Sequence, residues 1–110
     1  MIAGGATLAI RDALAPDREF IVGTLLPSAW GLLRGVRRQD WARHSERLEE
    51  YVCSQTVRVC CLQDDPAVII GWAAATGDRS LLYVYVKRDF RGHGIGKALR
   101  LAVTDGPEET

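Results

Sequence analysis

The sequence predicts a single α+β domain, sandwich-like, in the order strand, helix, helix, three strands, helix, with a mixed, mostly antiparallel sheet flanked by helices. Three observations lead there. Apolar residues recur at helical spacing in the first half, alternate with a period of two between residues 56 and 86, and return to helical spacing after a run of glycines at 92–96. The 110 residues are 47% hydrophobic and 25% charged, enough apolar chain for one core and too little for two domains. No apolar run approaches the roughly 20 residues that would span a bilayer.

Each element has its own signal. Thr7 to Arg11 alternates weakly and reads as the first strand. Pro16 and Asp17 suit the first turn of a helix, whose apolar face is Phe20, Ile21, Thr24, Leu25 and Leu26; Pro27 is expected to end or kink it. Ser28 to Gln39 holds two glycines and the basic cluster Arg34, Arg37 and Arg38, and reads as a loop with a positive rim. Asp40 is a good N-cap for a second helix carrying Trp41, His44 or Ser45, Leu48, Tyr51 and Val52 on one stripe. Glu46, Glu49 and Glu50 fall mostly off it, as a solvated face would. Thr56 onward is a strand, Gln63 to Pro66 a turn, Ala67 to Thr76 a second strand, and the two form an antiparallel hairpin. Gly77 to Ser80 turns the chain into a third strand, Leu81 to Val86. The last helix presents Ile95, Leu99, Ala102 and Val103 on one face and stops near Thr104 to Gly106.

The composition excludes several function classes. Fourteen basic residues balance 14 acidic ones, so the whole molecule has no bias toward nucleic acid or an anionic membrane. Trp30, Trp41 and Trp72 lie in three different elements without an interleaved basic stripe, which fits core or rim aromatics rather than a base-stacking platform. Cys53, Cys60 and Cys61 fit neither a paired disulfide framework nor a zinc site and are expected to be three reduced, half-buried thiols. The N-terminal residues lack a basic region and an apolar core of signal-peptide length, and a cytoplasmic protein is expected.

Chemistry concentrates in the stretch from Val84 to Arg100. A β-branched strand runs into Gly92, Gly94 and Gly96, spaced two apart, and then directly into an amphipathic helix. Backbone N–H groups converge at such a helix start, and glycine lets an anion approach without a Cβ in the way. Lys87, Arg88, Arg91, Lys97 and Arg100 stand against a single acid, Asp89, so a neutral protein carries one local positive region, suited to a polyphosphate. Two better-known glycine loops fail on register. A dinucleotide fingerprint would need a third glycine where Lys97 stands, and a P-loop would need one more residue between Gly92 and Gly96 and a hydroxyl where Ala98 stands.

The register that fits is Arg91-Gly92-His93-Gly94-Ile95-Gly96, with a strand ending in valine before it and an aromatic just ahead of the arginine. This resembles the acyl-CoA loop of the GNAT N-acetyltransferase superfamily, and the order of elements from Thr7 to Val103 is similar to that family's N-terminal half. Arg88 departs from the pattern, the family often having proline there. The resemblance implies acetyl-CoA or CoA as ligand. The backbone of Gly92, His93, Gly94, Ile95, Gly96 and Lys97 would bind the pyrophosphate, with Lys97 and Arg100 near it or the 3′-phosphate. The main chain of Val84, Tyr85 and Val86, splayed by a bulge, would pair with pantetheine. His93 occupies a variable position and is expected at the surface. Tyr83 and Tyr85 share a face of their strand, either core or substrate cleft.

By the same resemblance the activity would be acyl-CoA N-acyltransfer, moving acetyl to an amine on a small molecule or protein. It assigns no catalytic side chain. In the family the sheet continues with a fifth strand, and a later helix often supplies a tyrosine acid; no tyrosine follows Tyr85 here, and the C-terminal strands of the full fold are expected to be lacking. Two readings stay open. One is a minimal acetyltransferase whose missing sheet edge comes from a partner chain or second copy. The other is a catalytically degenerate fold used as an interaction module, for example in a phage virion, with a protein partner at the open sheet edge.

Overall fold

A computed structural model of the chain describes residues 2–3, 5–32 and 40–104. Its sheet has the strand order β1 (Ile2–Ala3), β2 (Ala6–Asp12), β3 (Thr56–Leu62), β4 (Ile69–Ala75) and β5 (Leu81–Val86), each antiparallel to its neighbour. The helices are α1 (Arg18–Leu32), α2 (Trp41–Cys53) and α3 (Ile95–Thr104). Among the described residues the sheet is therefore wholly antiparallel rather than mixed, and no helix is long and apolar enough to cross a membrane.

Every residue of β4 is buried, because helices cover both of its faces. On one face α3 seats Ile95, Leu99 and Val103 against Leu8, Cys60, Ile70, Ala73 and Ala75. On the other, Ile21 and Leu25 of α1 and Val52 of α2 close over Val59, Cys61, Ile69, Trp72 and Ala74. Trp72 is fully buried, and its indole N–H donates to the Thr24 hydroxyl at 2.7 Å, which satisfies the one polar atom of that ring.

Two bulges adjust the faces. Cys60 pairs with Gly71 and Cys61 with Ile69, leaving Ile70 unpaired; Ala74 pairs with Tyr83 and Ala75 with Leu81, leaving Leu82 unpaired. An extra residue in one strand puts two consecutive side chains on the same face. Ile70 and Gly71 both turn toward α3, and a Cβ on Gly71 would lie 2.5 Å from the Tyr85 carbonyl oxygen and 3.3 Å from Leu99 Cδ1. Only glycine allows that approach.

Several expectations need correction. Helix α1 does not end before Pro27 but runs through it to Leu32. The missing N–H of Pro27 frees the carbonyl of Gly23, and both residues are exposed, so the helix can lose that bond on its solvent side without burying an unpaired group. Asp40 does precede α2, yet its side chain makes no capping bond. The inward stripe of α2 is Ser45, Leu48, Glu49 and Val52; His44 and Tyr51 face solvent, Tyr51 at 50% exposure. Glu49 bonds Arg18 of α1 at 2.9 Å rather than standing free. β4 starts at Ile69, not Ala67, since Val68 N–H donates to Asp65 and its carbonyl accepts from Leu62, closing the turn. Cys60 and Cys61 are fully buried and only Cys53 is half-buried; burial pushes the Cys60 thiol up to about 11. Strand β1 had no expectation, although the Gly4-Gly5 pair is a hairpin signal and Gly5 takes φ 81°.

A buried acid also went unanticipated. Asp17, 6% exposed, accepts both Arg11 guanidinium N–H groups at 2.7 and 3.0 Å and the Leu14 N–H at 2.7 Å. Arg11 reaches on to the Pro66 carbonyl at 2.8 Å, tying β2, the start of α1 and the β3–β4 turn together. The Arg11 hydrogen bonds hold the Asp17 carboxyl below the usual carboxylate range, against desolvation.

Candidate functional site

Strand β5 forms one edge of the described sheet, and its alternation decides which groups face outward. Lys87 N–H donates inward to the Ile70 carbonyl at 2.8 Å, continuing the register Val86–Gly71, Tyr85–Trp72 and Val84–Ala73. In an antiparallel ladder the main-chain groups of alternate residues point the same way. Those of Tyr83, Tyr85 and Lys87 are thus spent on β4, and those of Val84 and Val86 point outward. Of the three residues the sequence nominated, Tyr85 is engaged in the sheet, and the bulge expected among them sits at Leu82 instead. One outward group is already taken: Arg91 Nε donates to the Val86 carbonyl at 2.9 Å.

Beyond the strand the chain makes a short 3-10 turn at Arg88–Phe90 and enters the glycine loop. Gly92 and Gly94 both adopt φ 83°, in the left-handed region that favours glycine, and neither position has any atom within 4 Å of where a Cβ would stand. The first helical bond is Ala98 N–H to the Gly94 carbonyl at 3.1 Å; among the described residues the N–H groups of Gly92, His93, Gly94, Ile95, Gly96 and Lys97 have no backbone acceptor. These donors lie at the positive end of the α3 dipole. Ile95 contributes only its backbone, since its side chain is 1% exposed in the core beneath the loop. Gly96 lies against Val86, a Cβ there coming 3.7 Å from Val86 Cγ2, so strand end and helix start are in contact.

His93 is exposed, as expected, with Nδ1 3.2 Å from the Phe90 carbonyl and 3.1 Å from that of Arg91. Both neighbours only accept, so Nδ1 stands toward them as the donor and the ring serves to hold the turn. Lys87 leaves the cationic group the sequence placed it in. Its side chain follows Tyr83 and Tyr85 onto the α1 face, where Nζ stands 5.4 Å from the centroid of the Phe20 ring. Arg88, Arg91, Lys97 and Arg100 remain on the loop and on α3. Tyr83 and Tyr85 are half-buried on that same α1 face: Tyr83 lies 5.1 Å from Trp72, and Tyr85 meets Phe20 edge-on at 6.2 Å. Arg34, Arg37 and Arg38, nominated as an acceptor-side rim, lie outside the described residues, and the side chains of Trp30 and Trp41 are likewise outside them.

The arrangement offers an anion a set of convergent N–H donors and offers an extended chain the free edge of β5, side by side. Comparisons with known proteins fall on the same elements. A family model described as the Acetyltransferase (GNAT) family matches residues 10–105. A putative acetyl transferase from Pyrococcus furiosus superposes with TM-score 0.65 at 20% identity, over 90% of this chain and 73% of its own. A GCN5-related N-acetyltransferase from Rhodopseudomonas palustris gives 0.64 at 21%, over 96% and 67%. AAC(6')-Iy, solved with a CoA-linked bisubstrate analogue, gives 0.57 at 19%, over 92% and 71%. No curated protein matches the sequence. The family model runs from within β2 through α3 and so takes in the loop and the strand edge, and the chain belongs to the GNAT acetyltransferase family.

Proposed function

We propose that this chain binds acyl-CoA along β5 and the α3 N-terminus and transfers acetyl from acetyl-CoA to an amine acceptor. The observation that carries this reading is the row of unpaired N–H groups from Gly92 to Lys97, opened by two left-handed glycines immediately after a strand with a free edge. Pyrophosphate would take the N–H groups, with Lys97 and Arg100 adding charge on the first turns of α3. Pantetheine would lie along the outer edge of β5, pairing with the main chain of Val84 and with Val86 N–H. The Val86 carbonyl would stay with Arg91, which braces the strand end against the loop. Transfer then needs the acceptor amine, without its proton, held against the thioester carbonyl; a C–N bond forms, the C–S bond breaks and the thiolate takes a proton.

Isothermal titration with acetyl-CoA and desulfo-CoA, followed by mass spectrometry of an amine panel, tests the proposal. Binding of both with acetylation of an amine supports it, and absence of binding at millimolar concentration overturns it. The same free groups on β5 favour one competing occupant, an added peptide strand from a partner or a second copy. Sedimentation separates the two, since a monomer at high concentration that still binds CoA leaves the edge to the ligand.

A further inference from the structure

The α1 face of β5 carries a row that the loop does not use. Tyr83, Tyr85 and Lys87 project to the same side, Phe20 stands across from Tyr85, and Trp72 backs Tyr83. The indole N–H is committed to Thr24, so the wall offers a ligand ring faces and edges together with the Tyr83 and Tyr85 phenol groups. Lys87 ends the row. Among the described residues it has no ion-pair partner, and its ammonium rests over the Phe20 ring, a weaker partner than a carboxylate in a half-buried setting.

We infer that this face receives the acceptor and selects an amine that carries a carboxylate on an aromatic or apolar body, the body lying on Phe20, Tyr83 and Tyr85 and the carboxylate displacing the Phe20 ring as partner of Lys87. The inference rests on the acyl-CoA reading for the direction from which the thioester is attacked. Charge argues the same way. A polycationic acceptor would meet Lys87 beside an already basic loop, whereas an amine with its own carboxylate arrives neutral, and a nearby ammonium favours the deprotonated amine that transfer requires.

The probes are N-acetylphenylalanine and N-acetylphenylalaninamide, which share ring and amide and differ in the carboxylate. They are titrated into the protein with and without CoA, following the ring signals of Phe20 and Tyr85 and the side-chain signals of Lys87 by NMR. The carboxylate is expected to bind about fivefold more tightly than the amide, a ratio set by one half-exposed ion pair, and Lys87→Gln to bring the two to parity. Equal affinities, no binding of either, or a preference that survives in Lys87→Gln overturns the inference. So does a Lys87→Gln variant that weakens CoA and leaves the ratio unchanged, since Lys87 would then serve the phosphates. CoA affinity measured in the same samples keeps the two readings apart: equal affinities of the two probes in the unmutated protein, with CoA still bound, remove only the acceptor assignment.

Discussion

Gly71 and Asp17 show how much of this molecule turns on single side chains, one by lacking atoms and the other by its charge. A methyl group on Gly71 has a backbone oxygen 2.5 Å away, which no rotamer change relieves. Gly71→Ala is expected to cost about 2–4 kcal/mol in urea titration, because β5 or α3 must retreat from β4; an unchanged midpoint would mean the layers slide apart freely. Asp17 shifts in the opposite direction to the buried Cys60 thiol. Arg11 holds its folded-state pKa below that of the unfolded chain, so the pair stabilises the fold above the ordinary carboxylate range, and the gain disappears as pH falls through it. Asp17→Asn should lower stability at pH 7 by about 3 kcal/mol, by leaving the largely buried Arg11 without its counter-charge, and flatten the acid limb of the stability curve below pH 4. Neither residue announces itself in the sequence. Asp17 reads as a first-turn acid, since nothing periodic links it to an arginine on the preceding strand, and Gly71 is one small residue in an apolar run.

At the scale of elements, the β5–loop–α3 unit was the most legible part, because its signals are local: alternation gives Leu81 to Val86, and the spacing of Gly92, Gly94 and Gly96 gives the turn. Helix α1 was less so. Pro27 is a strong stop signal, and only the exposure of Pro27 and Gly23 makes a proline there tolerable. The bulges and the turn of Lys87 toward Phe20 depend on pairing register, which a sequence does not display. The loop yields a clean test. Gly94 faces open space, so a side chain there costs only the strain of a left-handed residue, roughly 1 kcal/mol. Gly94→Glu places a carboxylate among the N–H donors and should weaken acetyl-CoA by about a hundredfold or more while the circular-dichroism melt shifts only by that strain. Gly94→Ala carries the same strain without charge and should keep affinity within about tenfold. Equal losses in the two variants would locate the phosphate elsewhere.

For the whole molecule, one sheet with a core on each side raises the question of whether the layers open separately. Adjacent cysteines on β3 report on each: Cys60 belongs to the α3 layer and Cys61 to the α1–α2 layer, both with almost no exposure. Strand β4 contributes to both cores, Ile70, Ala73 and Ala75 to one and Ile69, Trp72 and Ala74 to the other, so stripping either layer exposes the strand that anchors the second. That predicts a single cooperative opening. Cys53, half-buried beside Leu14 and Arg18 in an open pocket, should react with Ellman's reagent at pH 8 in a fast phase accounting for one thiol. The Cys60 thiol, with no exposure and pushed up to about 11 by burial, should not react in the native state. Its modification should share one slow rate with Cys61, read separately in Cys60→Ala and Cys61→Ala variants. Saturating acetyl-CoA at a hundred times its Kd should slow that phase by about a hundredfold, since the ligand stabilises only the closed molecule. If Cys60 reacts much faster than Cys61, α3 lifts from the sheet on its own, and the phosphate loop at its N-terminus belongs to a separately opening unit.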